Sequence, residues 1–246
     1  MTGAHRITIA GEDLQLLPQK ALWWPARRSL LISDTHFGKT ATFRQHGIPV
    51  SDHTLEEDLA RLSDAVHSTT ADRLVILGDL LHARRGRSPE TLARVTHWRE
   101  EHSSLHVELI RGNHDRSAGP PLDDWRIAIL SDAHREGPFA FCHAPGEVEG
   151  AYVLCGHLHP KAIVNLGAGT LSKLPCLWIR PRWAVLPAFG SFIDSAPVAP
   201  EADDRVLAIA DGQAHDVTPF LAVRRGRRFT SAASKAAGTG RPGTTA

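Results

Sequence analysis

Three observations predict an α/β fold, with two facing mixed β-sheets and helices outside them. First, apolar runs such as Leu30-Leu31-Ile32, Leu74-Val75-Ile76-Leu77 and Val107-Glu108-Leu109-Ile110 read as buried strands. Second, amphipathic stretches separate these runs in the first half of the chain. Third, after Trp125 the pattern changes to short apolar runs divided by Gly and Pro, with no long helical stretch.

Taken in order, Ile7-Thr8-Ile9 and Leu14-Gln15-Leu16-Leu17 flank the turn signal Gly11-Glu12-Asp13 and predict a hairpin. Leu22-Trp23-Trp24 adds a strand, with both tryptophans read as core rather than as a base-stacking platform. Leu55, Leu59, Leu62 and Val66 fall on one face of a helix over residues 54–66, which Thr54 and Glu57 would open as a capping box. Ser88 as N-cap and Pro89 at the first helical position begin a second helix, with Leu92, Val95 and Trp98 inward. Strands alternating with helices imply parallel pairing through right-handed crossovers. Runs at 126–130, 139–142, 152–155, 162–166, 177–179 and 183–186 predict the second sheet, and 206–209 a last strand. Residues 1–223 read as one domain. From Arg224 to Ala246 the chain is basic, without an acidic residue and with little to bury, so a disordered tail is expected there.

The composition excludes several classes. No run of eighteen apolar residues is present, so a membrane span is not expected. The first residues lead into a strand without a signal-peptide core, which predicts a cytoplasmic protein. Three scattered cysteines, Cys142, Cys155 and Cys176, do not make a disulfide framework or a zinc knuckle. The net charge of +1 is uninformative, but Arg84-Arg85-Gly86-Arg87 and Arg224-Arg225-Gly226-Arg227-Arg228 are basic clusters. Each is open to two readings, an anionic partner or a solvated surface. The fifteen histidines are the informative count.

Successive strands end on potential ligands. Asp34 and His36 follow the first buried run, Asp79 the second, and Asn113 and His114 the third; His143, then His157 and His159, follow two later ones. Carboxylate, amide and imidazole donors without a thiolate suit Mn²⁺, Fe²⁺ or Zn²⁺ in a reactive site better than structural zinc. The donors exceed the needs of one ion, and two ions ~3.5–4 Å apart sharing a carboxylate fit the count. If extended, Asp34-Thr35-His36 and His157-Leu158-His159 would each put two ligands on one side, because side chains alternate. Gly78, Gly112 and Gly156 would permit close approach of backbone to such a site.

The motifs Asp34-Thr35-His36, Gly78-Asp79, Gly112-Asn113-His114-Asp115, His143 and Gly156-His157-Leu158-His159 resemble, in order, the five motifs of the calcineurin-like metallophosphoesterases. Residues 33–50, 109–119, 156–160 and 186–192 are similar to the bacterial ligase-associated DNA-damage-response branch of that family, and the resemblance spans residues 6–195. It implies a four-layer α/β/β/α sandwich and two divalent metal ions, Mn²⁺ first, with Fe²⁺ or Zn²⁺ as alternatives. Asp34, His36, Asp79 and His159 would hold one ion, and Asp79, Asn113, His143 and His157 the other. A water acidified between them would attack phosphorus in line, with His114 as general acid on the leaving oxygen and Asp115 fixing its orientation.

The activity so implied is phosphodiester hydrolysis by an endonuclease of DNA repair. DNA would be the substrate, and an ATP-dependent DNA ligase, a helicase and an exonuclease-like protein the partners. A small-molecule phosphodiester or monoester is the alternative substrate. A non-catalytic scaffold on the same fold would be expected to have lost ligand histidines, and these are all present. Candidate substrate contacts are Arg84, Arg85, Arg87, Arg111, Arg116, Lys39 and His82, with Lys39 and Arg44 equally readable as surface and His82 as a plain loop residue. The oligomeric state is left open by these residues, a dimer included.

Overall fold

The N-terminal hairpin opens the first sheet in the computed structural model of the chain, which describes residues 2–51, 53–165 and 170–221. Strands β1 (His5–Ile9), β2 (Glu12–Leu17), β3 (Ala21–Trp24) and β4 (Ser29–Ile32) pair antiparallel in sequence order. Glu12 and Asp13, expected in the turn, already belong to β2. The sheet continues in parallel through β5 (Arg73–Leu77), β6 (His106–Ile110) and β7 (Ile127–Leu130). Strand β7 therefore corrects the expectation that everything after Trp125 lies in the second sheet. The connection before it is anchored by fully buried Trp125, whose indole N–H donates to Thr96 Oγ1 at 2.8 Å, and it returns the chain alongside β6.

Among the described residues four α-helices decorate this half: α1 (Lys39–Gln45), α2 (His53–Thr69), α3 (Pro89–Glu101) and α4 (Asn113–Ala118). Ser88 caps α3 by accepting the Thr91 N–H at 3.1 Å. The capping box expected at Thr54 is absent, because α2 starts at His53 and the Thr54 hydroxyl donates back to Ser51 O at 3.5 Å.

The second sheet contains β8 (Ala133–Glu136), β9 (Phe139–Cys142), β10 (Tyr152–Cys155), β11 (Pro160–Asn165), β12 (Leu171–Ile179), β13 (Trp183–Val185), β14 (Ala196–Pro197), β15 (Arg205–Ala210) and β16 (Gln213–Asp216). Strands β8 and β16 are short and largely polar, and β14 is only the exposed pair Ala196–Pro197, so no apolar run announces them. Leu166 and the basic tail from Arg224 lie outside the described residues.

Alternation sorts the side chains into layers. Leu31, Val75, Leu77 and Ile110 of the first sheet meet Phe139, Phe141, Leu154, Leu177 and Leu207 of the second. Leu30, Ile32, Leu74, Ile76 and Leu109, on the opposite face, pack on Leu59 and Leu62 of α2 and Val95 and Trp98 of α3. Neighbouring Trp23 and Trp24 split between these two cores, and Trp24 stands edge-on to Phe139 at 5.0 Å. Burying an aliphatic or aromatic side chain in this way contributes ~1.5–3 kcal/mol. Two facing mixed sheets with flanking helices are thus present, with α2 and α3 both on the first sheet. Among the described residues no α-helix follows Ala118, so the outer face of the second sheet carries only small clusters such as Ala140, Val153, Cys155 and Val185. None of the described helices is long and apolar enough to cross a membrane. Because β4, β5 and β6 run parallel, as do β9 and β10, their carboxyl ends bring five loops together.

Candidate metal centre

The loops are fastened to one another before any side chain is considered. Beyond the ends of β4 and β5, Asp34 N–H donates to Gly78 O (3.0 Å), His36 N–H to Asp79 O (2.8 Å) and Phe37 N–H to Leu80 O (2.9 Å). The Thr35 hydroxyl adds a bond to Leu80 O at 2.8 Å. From the second sheet, Gly156 N–H donates to His143 O at 2.9 Å, and His157 N–H donates to Asp34 Oδ2 at 2.9 Å.

The two Asp/His-X-His segments are not extended, contrary to the period-two expectation. Asp34 (φ 54°), His36 (46°), Asp79 (55°), His157 (73°) and His159 (47°) are all left-handed, five of the eleven non-glycine residues with positive φ among those described. Such conformations cost on the order of 1–3 kcal/mol each and persist only where the surroundings over-determine them. The cross-loop bonds supply that determination. Close approach of backbone to the carboxylates is real. A Cβ on Gly112 would lie 2.1 Å from Asp79 Oδ1, and one on Gly156 would lie 2.4 Å from Asp34 Oδ2.

Among the described residues three groups of ligand atoms have their members within 4.8 Å of one another: the imidazoles of His36, His82 and His114, and two groups that include a carboxylate, Asp34, His36 and His159, and Asp79, His143 and His157. Asp79 joins them, since its Oδ2 lies 3.6 Å from His36 Nε2 and 3.5 Å from His143 Nε2. Asn113 Oδ1 lies 3.0 Å from His143 Nε2. Backbone carbonyls fix the ring tautomers, because a carbonyl can only accept. His143 Nδ1–H donates to Leu77 O (3.0 Å), His159 Nδ1–H to Asp194 O (2.8 Å) and His114 Nδ1–H to His82 O (2.6 Å). Each ring thereby presents its Nε2. In the two groups, His143 Nε2 faces His157 Nδ1 at 3.1 Å and His36 Nε2 faces His159 Nε2 at 3.4 Å. Nitrogen lone pairs converging on buried carboxylates are a donor set that fits divalent cations.

The electrostatics agree with that fit. Asp34 and Asp79 are 0% and 1% exposed. Burial raises the Asp79 carboxyl above the usual range, opposed by His143, which leaves a carboxylate in need of a cation. Burial, with His114, His159, His82 and Lys39 around it, pushes His36 down to about 2, so its ring stays neutral and able to ligate. His157 is lowered by burial and then by His143. For His159 burial lowers the pKa most, but bonding and attraction to Asp34 outweigh it and the net direction is up.

Asp115 does not orient His114. Its carboxylate accepts main-chain N–H bonds from Asp79 (2.8 Å), Gly112 (2.9 Å) and Leu81 (3.2 Å), stapling the loops after β5 and β6 together. That part of the expectation is corrected, because three backbone donors fix those oxygens and the His82 carbonyl holds the His114 ring. The His82 ring stacks on His114 with centroids 4.9 Å apart and places Nδ1 3.4 Å from His36 Nδ1, so it is part of the centre rather than a plain loop residue.

The basic candidates are more dispersed. Arg84 and Arg111 are exposed. Arg85 reaches His46 Nε2 (2.9 Å), Arg87 donates to Pro120 O (2.6 Å), and Arg116 pairs with Asp132 (3.1 Å). Arg44 lies 3.8 Å from Glu90. Lys39 is not a surface residue. It is buried between Phe43 and Phe192 and donates to Asp194 Oδ2 at 3.1 Å. Asp194, which sequence reasoning missed, thus holds Lys39 by its carboxylate and His159 by its carbonyl; a backbone acceptor leaves no trace in residue type.

Residues 27–146 match the family described as calcineurin-like phosphoesterase. A crystal structure of the Pseudomonas putida nuclease MPE is 38% identical, covering 87% of this chain and 99% of that one, with a TM-score of 0.77. The chain belongs to the calcineurin-like phosphoesterases. As members of that family use divalent metals, its fold and donor set make this protein a phosphoester hydrolase with groups that could bind such ions. A phosphoesterase from E. coli, Yfce, is 16% identical over 74% of this chain and 88% of its own, with a TM-score of 0.36. No curated protein matches.

Proposed function

We propose that this calcineurin-like phosphoesterase is a two-metal phosphodiesterase that cuts DNA strands in bacterial repair. The position of Asp79 Oδ2, 3.6 Å from His36 Nε2 and 3.5 Å from His143 Nε2, carries the reading, because one carboxylate is placed to serve both ligand groups. Asp34, His36, Asp79 and His159 would hold one ion, and Asp79, Asn113, His143 and His157 the other; the mixed donors suit Mn²⁺, Fe²⁺ or Zn²⁺, and the family resemblance favours Mn²⁺. When bound, such ions lower the pKa of a water nucleophile and neutralise charge developing on phosphoryl oxygens.

The chain's own residues supply the rest. His114 is held by His82 O with Nε2 free, beside His36 at a centroid distance of 4.7 Å, and is placed to donate a proton to the leaving oxygen. Its N–H also donates to Asp79 Oδ1 at 2.9 Å, so the proton donor and the shared ligand move together. Similarity to a nuclease supports a nucleic-acid substrate. The exposed arginines at 84, 85 and 111 add cations on the surface of the same loops. Resemblance to the ligase-associated branch supports action beside an ATP-dependent DNA ligase, a helicase and an exonuclease-like protein.

The test is a panel with metal-depleted protein reconstituted with Mn²⁺, Fe²⁺ or Zn²⁺. Bis(p-nitrophenyl) phosphate, p-nitrophenyl phosphate, cyclic nucleotides, and single- and double-stranded DNA are compared. DNA cleavage that needs added metal and stops with chelator is expected. Turnover confined to monoesters or cyclic nucleotides would overturn the nuclease reading.

A further inference from the structure

A small pocket beside the metal centre is bordered by His159, Pro160 and Ser191 and contains two lysines, Lys20 and Lys161, that neither ligand group uses. Lys20 closes the turn between β2 and β3 with φ 62°, a left-handed conformation that a lysine rarely adopts. Its ammonium has one hydrogen bond, a long one of 3.5 Å to Phe189 O. The nearby carboxylate, Asp58, is already committed. It accepts the Ser191 N–H (3.1 Å) and hydroxyl (2.7 Å) and pairs with Arg61 at 2.5 Å. Arg61 in turn donates to Phe189 O at 2.6 Å. Lys20, Arg61 and Lys161 thus lie in one neighbourhood, while the oxygens of Asp58 are taken and the carboxylate of Asp194, between the lining residues Ile193 and Ser195, is paired with Lys39.

A half-buried ammonium without a carboxylate of its own is costly to keep, and an anion entering the pocket would offset that cost. Burial, then Arg61, with Lys161 adding, pushes the Lys20 pKa down to about 8, so the group still carries its proton near neutral pH. Lys161 follows His159 by two residues along the chain, at the start of β11, which ties the pocket to the reacting centre.

We infer that the mouth of this pocket, whose interior of about 20 Å³ holds little more than a water, binds the oxygens of the phosphate next to the scissile one in the substrate strand, with Lys20 and Lys161 as its cationic partners. The inference rests on the strand-cutting reading above and adds a specificity element to it: a substrate with a single phosphorus leaves the pocket unused.

The experiment compares two chromogenic pairs. One is p-nitrophenyl thymidine 5′-phosphate with and without a methyl-capped 3′-phosphate. The other is p-nitrophenyl thymidine 3′-phosphate with and without a methyl-capped 5′-phosphate. The cap gives the added group the single charge of an internal strand phosphate, and the two pairs cover both directions along the strand. In the wild type, kcat/KM for at least one pair is expected to rise about 10-fold with the second phosphate, mainly through KM, as for one good charge-assisted contact. That ratio should fall towards one in Lys161→Ala and in Lys20→Gln, two variants that do not depend on the same packing. A wild-type ratio near one in both pairs, or a ratio that survives both substitutions, would overturn the inference. Failure to cut DNA with the ratio and its lysine dependence intact would count against the nuclease reading alone.

Discussion

The two sheets contribute unequally to the metal centre. Loops of the first sheet bring Asp34, Asp79 and His36, which are 0%, 1% and 4% exposed. The second sheet contributes imidazoles only: His143 at the edge of burial, His159 half-buried and His157 exposed. The floor thus holds both carboxylates out of reach of solvent, and the roof is built of imidazoles and more open. Carboxylates placed this deep call for a cation, whereas under the proposed function the roof histidines would complete its coordination and should be lost singly with less consequence.

The largest expected effect comes from breaking the floor. Asp79→Asn should remove metal from both positions, with an activity loss exceeding the ~10²–10⁴-fold typical of a proton-transfer group. Because burial raises the Asp79 pKa, the metal-free variant should melt no lower than the metal-free wild type. Metal analysis and thermal melts check both halves, and an unchanged two-ion content would refute the shared role. His157→Ala, on the exposed roof, should lose at most one ion.

Next in size is His114→Ala, which should keep its metal but lose ~10²–10⁴-fold in turnover where the leaving oxygen needs a proton. The loss should be far smaller with p-nitrophenolate, which leaves unaided, so the ratio of DNA to p-nitrophenyl turnover reads the proton directly. Loss of metal in parallel would place His114 among the ligands. Asp115→Ala removes the acceptor of three main-chain bonds that join two floor loops. Each buried N–H left unpaired costs about 1–3 kcal/mol, so denaturant melts should show at least that destabilisation.

The smallest effect lies outside both regions. The folded state lowers the Lys20 pKa from 10.5 to about 8, so between those values the unfolded chain binds more protons than the folded one. Stability from this group accordingly rises as pH increases through that window. Lys20→Met should flatten the rise, by about 1–3 kcal/mol across the window, in urea melts from pH 7.5 to 10.5.

How legible the centre was depended on how local each signal is. A strand ending in glycine and a polar residue is visible in a few consecutive letters, so Asp34, His36, Asp79, Asn113, His143, His157 and His159 could be singled out, and the structure brings them together. Asp115 was legible as important but not for its reason, because its partners are backbone N–H groups of distant loops. Lys39 could equally have been surface, since nothing nearby in sequence announces that Phe192 and Asp194 close over it. Strand β7 looked like its neighbours in sequence, and only pairing with β6 assigned it to the first sheet.

By itself the sequence determined the buried strands, the two amphipathic helices and the chemical kinds of donor, because apolar periodicity and residue type are properties of short segments. The tertiary structure alone decided that the ligand segments are left-handed rather than extended, and that carbonyls of Leu77, His82 and Asp194 set the imidazole tautomers. It alone also placed Lys20 and Lys161 in one pocket beside His159. These depend on contacts between residues far apart in the chain, where backbone groups, identical at every position, do much of the bonding.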